Sequence, residues 1–158
     1  DNGSNTMAQH LLENGESEIS IFWTLEDINF KCRIDKLDVT KKIAVEYKTV
    51  RSVKESVFAS DMINFGYDVQ MALYTDGIRA YFDDDFEYLF VCQEKSPPYL
   101  IRVFKPDEQF YEIGQRRLDD LIQKYKSYEA VDWQLPDGRF ISDFIQTISP
   151  PSWATYKT

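Results

Sequence analysis

Apolar and polar positions along the chain follow two periods. Alternation at every second residue marks strands over residues 18–23, 30–37 and 42–50, and a nearly unbroken apolar run over 87–93 marks a fourth. Residues 99–104 form a fifth, turned back on the fourth through Ser96-Pro97-Pro98. A helical period covers four other stretches. Residues 7–14 end a helix near Gly15. Residues 52–64 follow Ser52 as cap, and residues 67–78 close on Asp76-Gly77. The longest stretch, 107–128, carries an apolar face of Phe110, Ile113, Leu118, Leu121, Ile122 and Tyr125. Beyond Ala130 the pattern weakens to a Pro136-Asp137-Gly138 turn and an extended tail at Ser149-Pro150-Pro151-Ser152-Trp153. The order is helix, three strands, two helices, two strands, long helix. It predicts an α/β sandwich, a central mixed β-sheet flanked by helices.

Length and composition set limits on this picture. The 158 residues, 43% apolar, suffice for one domain with a real core. We read residues 1–158 as that single domain. A start at Asp1-Asn2-Gly3 without Met reads as a piece of a longer protein. No run of 18 apolar residues exists, so no membrane partner is expected, and no signal-peptide pattern opens the chain. Cys32 and Cys92 sit in strand-like apolar contexts with no CxxC. They are expected to be reduced core thiols of a cytoplasmic protein. Walker and dinucleotide fingerprints are absent.

Charge changes the picture more. A net −9 argues against nucleic acid at first sight, because phosphate contacts need Lys and Arg. Yet residues 31–54 hold eight basic residues and three acidic ones, which makes that segment +5 and the remainder −14. A basic island with a few acids inside it suits a metal-dependent phosphodiesterase, and within it Arg33, Arg51 and Lys54 are the expected DNA contacts. Other charged runs carry less. Asp83-Asp84-Asp85 reads as a solvated loop, and Arg116-Arg117 with Lys124 and Lys126 as the solvated face of the long helix. Trp133 and Trp153 read as tail packing.

The spacing inside the island supplies the chemistry. On the strand Ile43-Ala44-Val45-Glu46-Tyr47-Lys48-Thr49, Glu46 and Lys48 share one face and Tyr47 takes the other. A two-residue loop at Val39-Thr40 would set Asp38 against Lys41, Asp35 against Ala44 and Arg33 against Glu46. Asp35, Glu46 and Lys48 would then point the same way, with Asp35 and Glu46 diagonal neighbours. Asp35 and Glu46, with the Tyr47 backbone carbonyl, could hold Mg²⁺, which takes oxygen ligands and keeps several waters. Lys48 could orient a water or offset charge growing on a phosphate. Gln70 and Tyr74 stand at i and i+4 on one helix face and can both donate hydrogen bonds.

Together these segments resemble a known family. Cys32-Arg33-Ile34-Asp35, Val45-Glu46-Tyr47-Lys48-Thr49 and the run from Tyr67 to Gly77 resemble the RecE-type (exodeoxyribonuclease VIII-like) exonucleases. These belong with the RecB-like nucleases of the PD-(D/E)XK superfamily, whose pattern is an Asp ending one strand, an acid-x-Lys on the next and a Q-x-x-x-Y helix. The likeness is best over residues 12–94. It implies a restriction-endonuclease-like core, with Asp35 and Glu46 as metal ligands, Lys48 as catalytic lysine and Gln70 and Tyr74 as the supporting pair. It also implies Glu18 as a further acid near the metal. The family often carries a histidine on an upstream helix. His10 lies too close to the first strand to match it and is read as a helix-surface residue, with the upstream helices lying outside this chain.

The function implied is a Mg²⁺-dependent deoxyribonuclease, with Mn²⁺ able to substitute. Its expected activity is 5′-to-3′ exonuclease action on double-stranded DNA ends in phage-type recombination. A RecT-like single-strand annealing protein would be its partner and a homo-oligomer its assembly. Two alternatives stand beside it: a single-strand or structure-specific RecB-like nuclease, and a catalytically inactive DNA-binding or assembly module on the same fold.

Overall fold

The computed structural model describes residues 2–134, 138 and 148–151. The Pro136-Asp137 part of the expected turn, and Trp153 of the tail, lie outside the described residues. Ile148 to Pro151 have no regular structure. The chain divides into two compact units, Asp1–Asp119 and Asp120–Thr158.

The elements are α1 (Asn2–Glu13), β1 (Glu16–Leu25), β2 (Ile28–Asp38), β3 (Ile43–Val50), α2 (Glu55–Asn64), α3 (Tyr67–Phe82), β4 (Glu87–Glu94), β5 (Ile101–Phe104) and α4 (Glu108–Glu129). The five strands form one sheet in chain order. Only β3 and β4 run parallel, and the connection between them carries α2 and α3. The fold is thus α/β with a mixed sheet flanked by helices.

Strand β4 reads as an apolar run because it is buried on both faces. Tyr88, Phe90 and Cys92 join Ile21, Ile34, Leu37 and Ala44 on one side, packed with Phe58 and Met62 of α2 and Met71 and Ile78 of α3. Leu89 and Val91 join Val45 on the other side, under Ala8 and Leu11 of α1. The two cysteines lie on the first side. Burial, opposed by a backbone hydrogen bond to Ile21, pushes the Cys32 thiol up to about 11. Burial, opposed by the Lys48 charge, pushes Cys92 up to about 12. Both are therefore inert core thiols at neutral pH.

Several local expectations change. The turn between β2 and β3 has four residues, not two. The Asp38 side chain accepts the Lys41 N–H at 2.9 Å, and Lys42 closes the turn at φ 55°. Asp38 therefore stands opposite Ile43, not Lys41. Helix α3 runs through Asp76-Gly77 to Phe82. Gly77 is needed for packing rather than stopping, because a Cβ there would lie 2.6 Å from the Trp23 ring. Ser52 does not cap α2. Its N-cap is Lys54, whose N–H bonds the Ser52 hydroxyl at 3.2 Å. The acidic run at 83–85 is tied at its surface, Asp84 to Lys42 and Asp85 to Arg79. In the second unit Trp133 packs on Tyr125 and Tyr128, with ring centroids 5.0 and 6.0 Å apart.

Arg116 is solvated as its spacing suggests, while Arg117, half-exposed, is tied to a buried acid. Its guanidinium holds both carboxylate oxygens of Asp68, at 2.8 and 2.7 Å, and the Ile63 carbonyl at 3.1 Å. Asp68 is 0% exposed. The close approach of α4 to α3 that permits this needs Gly114, where a Cβ would fall 2.2 Å from the Asp68 carbonyl oxygen. Removing Arg117 strands the fully buried Asp68 charge, at the low end of the cost of about 3–5 kcal/mol for breaking a buried pair, because the arginine itself is half-exposed. Arg117→Met is expected to lose about 3 kcal/mol in urea unfolding. The Arg117→Met/Asp68→Leu double variant should recover more than half of that.

Candidate active site

The ladder between β2 and β3 is unusually short. β1 and β2 pair at nine positions and β3 and β4 at eight, but β2 and β3 pair at only three: Lys36–Val45, Leu37–Ala44 and Asp38–Ile43. The same register carried one step further would set Asp35 against Glu46. Pairing stops there instead. The Asp35 carboxylate accepts the Tyr47 N–H at 2.8 Å, in place of a backbone carbonyl. Beyond this point β2 stays with β1 and β3 stays with β4, so the sheet forks, with Asp35 and Glu46 at its base.

A break in alternation lies at the same point. Ile34 and Leu37 are three residues apart yet pack in the same cluster. On β1, Glu18, the residue facing Asp35 in register, takes a left-handed φ of 60°. Such a backbone is uncommon for a non-glycine residue. Asp35 thus sits where β2 changes phase, and its carboxylate reaches along the sheet edge to β3. The expected register is corrected by two residues, so Arg33 stands opposite Ser20 of β1 rather than Glu46, and its guanidinium pairs with Glu18. A two-residue slip preserves side-chain parity where a one-residue slip would reverse it.

Glu46 is 4% exposed and carries a carboxylate. Lys48 Nζ donates to its Oε1 at 2.7 Å and Gln70 Nε2 to the same oxygen at 2.6 Å. Lys48 also donates to Gln70 Oε1 at 3.0 Å, which closes a triangle. The Tyr88 hydroxyl reaches Glu46 Oε2 at 3.3 Å. Burial first, then the Glu46 charge, holds the Tyr88 hydroxyl well above its usual range, so it stays a donor. Lys48 Nζ stands 4.6 Å from the centre of the Tyr67 ring, a cation–π contact. Tyr74, one turn beyond Gln70, is half-buried against the core. The Tyr47 side chain leaves by the other face, where its hydroxyl meets Gln93.

Tyr67 and Tyr88 were missed from sequence. Tyr67, Gln70 and Tyr74 lie at i, i+3 and i+7, one stripe of α3, so Tyr67 was available to the same reasoning as its neighbours. Tyr88 carries the one hydroxyl in an apolar strand, and only the parallel register Ala44–Tyr88 and Glu46–Phe90 brings it to Glu46.

The basic island is partly neutralised. Arg33, Lys41, Lys42, Lys48 and Arg51 sit in ion pairs with Glu18, Asp38, Asp84, Glu46 and Asp61. Lys54 is exposed at the start of α2. His10 lies on α1 and shares a hydrogen bond of 2.9 Å with Lys41. Among the described residues no group of three or more His, Cys, Asp or Glu side chains is placed to hold a metal. A divalent ion would therefore rest on fewer protein ligands, and the two acids at the fork suit a cation that accepts one or two carboxylates and keeps its waters.

Comparison with known proteins gives the family and the fold. Residues 3–134 match the PDDEXK-like domain of unknown function (DUF3799). The chain belongs to this PDDEXK-like family. Among solved structures, this PDDEXK-like chain is similar to a protein from Eubacterium rectale described as "Putative exonuclease". The TM-score is 0.69 at 12% identity, over 93% of this chain and 58% of that one. At that identity the likeness is one of fold. The structure of SSO0001 is more distant, with a TM-score of 0.44 at 19% identity, over 76% of this chain and 58% of its own. No curated protein matches.

The Glu46–Lys48 contact generates a stability prediction. Lys48→Met leaves a buried carboxylate with only Gln70 and Tyr88, and is expected to destabilise by about 3 kcal/mol. Adding Glu46→Gln should restore more than half, as read from urea midpoints at pH 7. Equal losses from the single and the double variant would show that the two side chains are not coupled.

Proposed function

We propose that this PDDEXK-like domain is a Mg²⁺-dependent deoxyribonuclease, with the fork at Asp35 and Glu46 as its cleavage centre. The single observation that carries the reading is the Glu46–Lys48–Gln70 triangle beside a carboxylate that ends a strand ladder. An acid and a lysine on a buried strand are costly to keep unless they serve something. Here both are fixed by Gln70 and need no reorganisation when a substrate arrives.

Asp35, Glu46 and the Tyr47 carbonyl would hold the metal, with Mn²⁺ able to replace Mg²⁺. Glu18 is a further candidate ligand once released from Arg33. When bound, the ion polarises a phosphate and lowers the pKa of a bound water. Lys48 supplies a fixed positive charge beside the scissile phosphate. Gln70 keeps Lys48 and Glu46 in register with each other, and Tyr88 holds the second Glu46 oxygen. Tyr74 lines the same helix face. Arg33, Arg51 and Lys54 would meet the DNA backbone, Arg33 by exchanging an exposed ion pair, which is worth little in water, and Arg51 through the N–H groups that its pair with buried Asp61 leaves over.

The finer reading is 5′-to-3′ exonuclease action on double-stranded ends, of the RecE type, in a cytoplasmic homo-oligomer working with a RecT-like annealing protein. Its support is the motif resemblance and the fold shared with the Eubacterium rectale protein, of whose length this chain spans 58%. An inactive module is disfavoured because both the acid and the lysine are present and bonded to each other.

The test is digestion of end-labelled duplex, single-stranded and circular DNA with Mg²⁺. Asp35→Ala, Glu46→Ala and Lys48→Ala should each lower the rate at least 100-fold, and Gln70→Ala about tenfold. Circular dichroism would check that each variant folds. Undiminished cleavage by folded Asp35, Glu46 and Lys48 variants would remove the assignment.

A further inference from the structure

A second recess adjoins the proposed cleavage centre. A cavity of about 290 Å³ opens past the end of β3, and its lining includes Arg51, Asp61, Phe65, Tyr67 and Lys95. Tyr67 belongs to both places, because its ring carries Lys48. The recess therefore begins one side chain away from the catalytic lysine.

Its chemistry is specific. Asp61 is 4% exposed, yet its carboxylate is spent on an arginine whose side chain is 68% exposed. Arg51 Nε and an Arg51 terminal nitrogen donate to the two Asp61 oxygens at 3.3 and 3.0 Å. That fork fixes the guanidinium at the surface and leaves its other N–H groups to a ligand. Lys95 is a second exposed cation on the lining. Phe65 is a large apolar ring left 65% exposed between α2 and α3. Its backbone is pinned by an N–H bond to the Asp61 carbonyl at 2.9 Å and followed by left-handed Gly66. Its ring centre lies 5.8 Å from that of Tyr67.

A fixed exposed ring beside two cations matches a nucleotide, with the base on the ring and the phosphate on the cations. The exposed ring decides between strand and duplex, because a base lies face-on to Phe65 only when it has left its own stack. A recess of about 290 Å³ has room for one such nucleotide. We propose that this recess is a subsite for an unpaired nucleotide of the substrate strand, stacked on Phe65 with its phosphate on Arg51 and Lys95, next to the position cut beside Lys48. The inference rests on the cleavage centre proposed above and adds that the strand must leave the duplex to be cut. Duplex ends then enter by fraying, and single strands enter directly.

The test separates the two readings. A single-stranded oligodeoxynucleotide carrying 2-aminopurine, whose fluorescence falls when it stacks, is titrated with the whole chain in EDTA, so that binding is read without cleavage. The wild type is expected to quench the probe. Phe65→Ala should weaken binding about tenfold and abolish the quench, while Phe65→Trp retains both. Lys95→Ala should weaken binding and lower its salt dependence by about one counterion. Binding of a closed circular duplex, which has no end to fray, should be unaffected by Phe65→Ala. Unchanged affinity and quench in Phe65→Ala, or equal losses for duplex and single strand, would overturn the subsite. Specific quenching by a protein that cuts nothing in Mg²⁺ would keep the nucleotide subsite and reject the cleavage centre.

Discussion

The hydrogen bond from the Tyr47 N–H to the Asp35 carboxylate is the constraint on which the rest of this structure depends. In an ordinary sheet that N–H would pair with a backbone carbonyl of the neighbouring strand. Here a side chain takes it, and β2 and β3 part company after three pairs. The fork creates an opening in the middle of a sheet without leaving the Tyr47 donor stranded. It also sets Asp35 of β2 at the step of the register where Glu46 of β3 would face it, so both acids stand at the base of the fork.

The second requirement is that a buried glutamate remain tolerable. Glu46 meets it through three donors from three elements: Lys48 on its own strand, Gln70 on α3 and Tyr88 on β4. The parallel pairing of β3 with β4 supplies Tyr88, and the crossover between those strands supplies α3. The topology is thus what makes the site affordable. Burial of Asp68 against Arg117 and close packing at Gly114 fix α3 within the first unit, and so fix Gln70 relative to the strands.

Much of this was legible in the sequence. Period-two alternation gave β3 and the shared face of Glu46 and Lys48, and helical spacing gave Gln70 and Tyr74 a common side. What was not legible follows from tertiary context. The turn length depended on Asp38 bonding the Lys41 N–H and on Lys42 adopting positive φ, neither of which residue type alone dictates. Arg117 looked solvated because its partner, Asp68, lies 49 residues away in sequence. Gly77 resembled a helix stop because nothing local announces the Trp23 ring against it. Tyr88 was hidden because parallel register has no local signature. The basic island was visible as a count, but its ion pairs, such as Arg51 with buried Asp61, were not.

The central claim is that Asp35 and Glu46 act together on one divalent ion. Calorimetric titration of the whole chain with Mn²⁺ measures this directly. An ion held at the fork predicts a single saturable site that Asp35→Ala and Glu46→Ala each abolish, while Asp38→Ala leaves it intact. Mn²⁺ binding of undiminished affinity in both the Asp35 and Glu46 variants would contradict it, as would a folded wild-type protein that binds no ion at all.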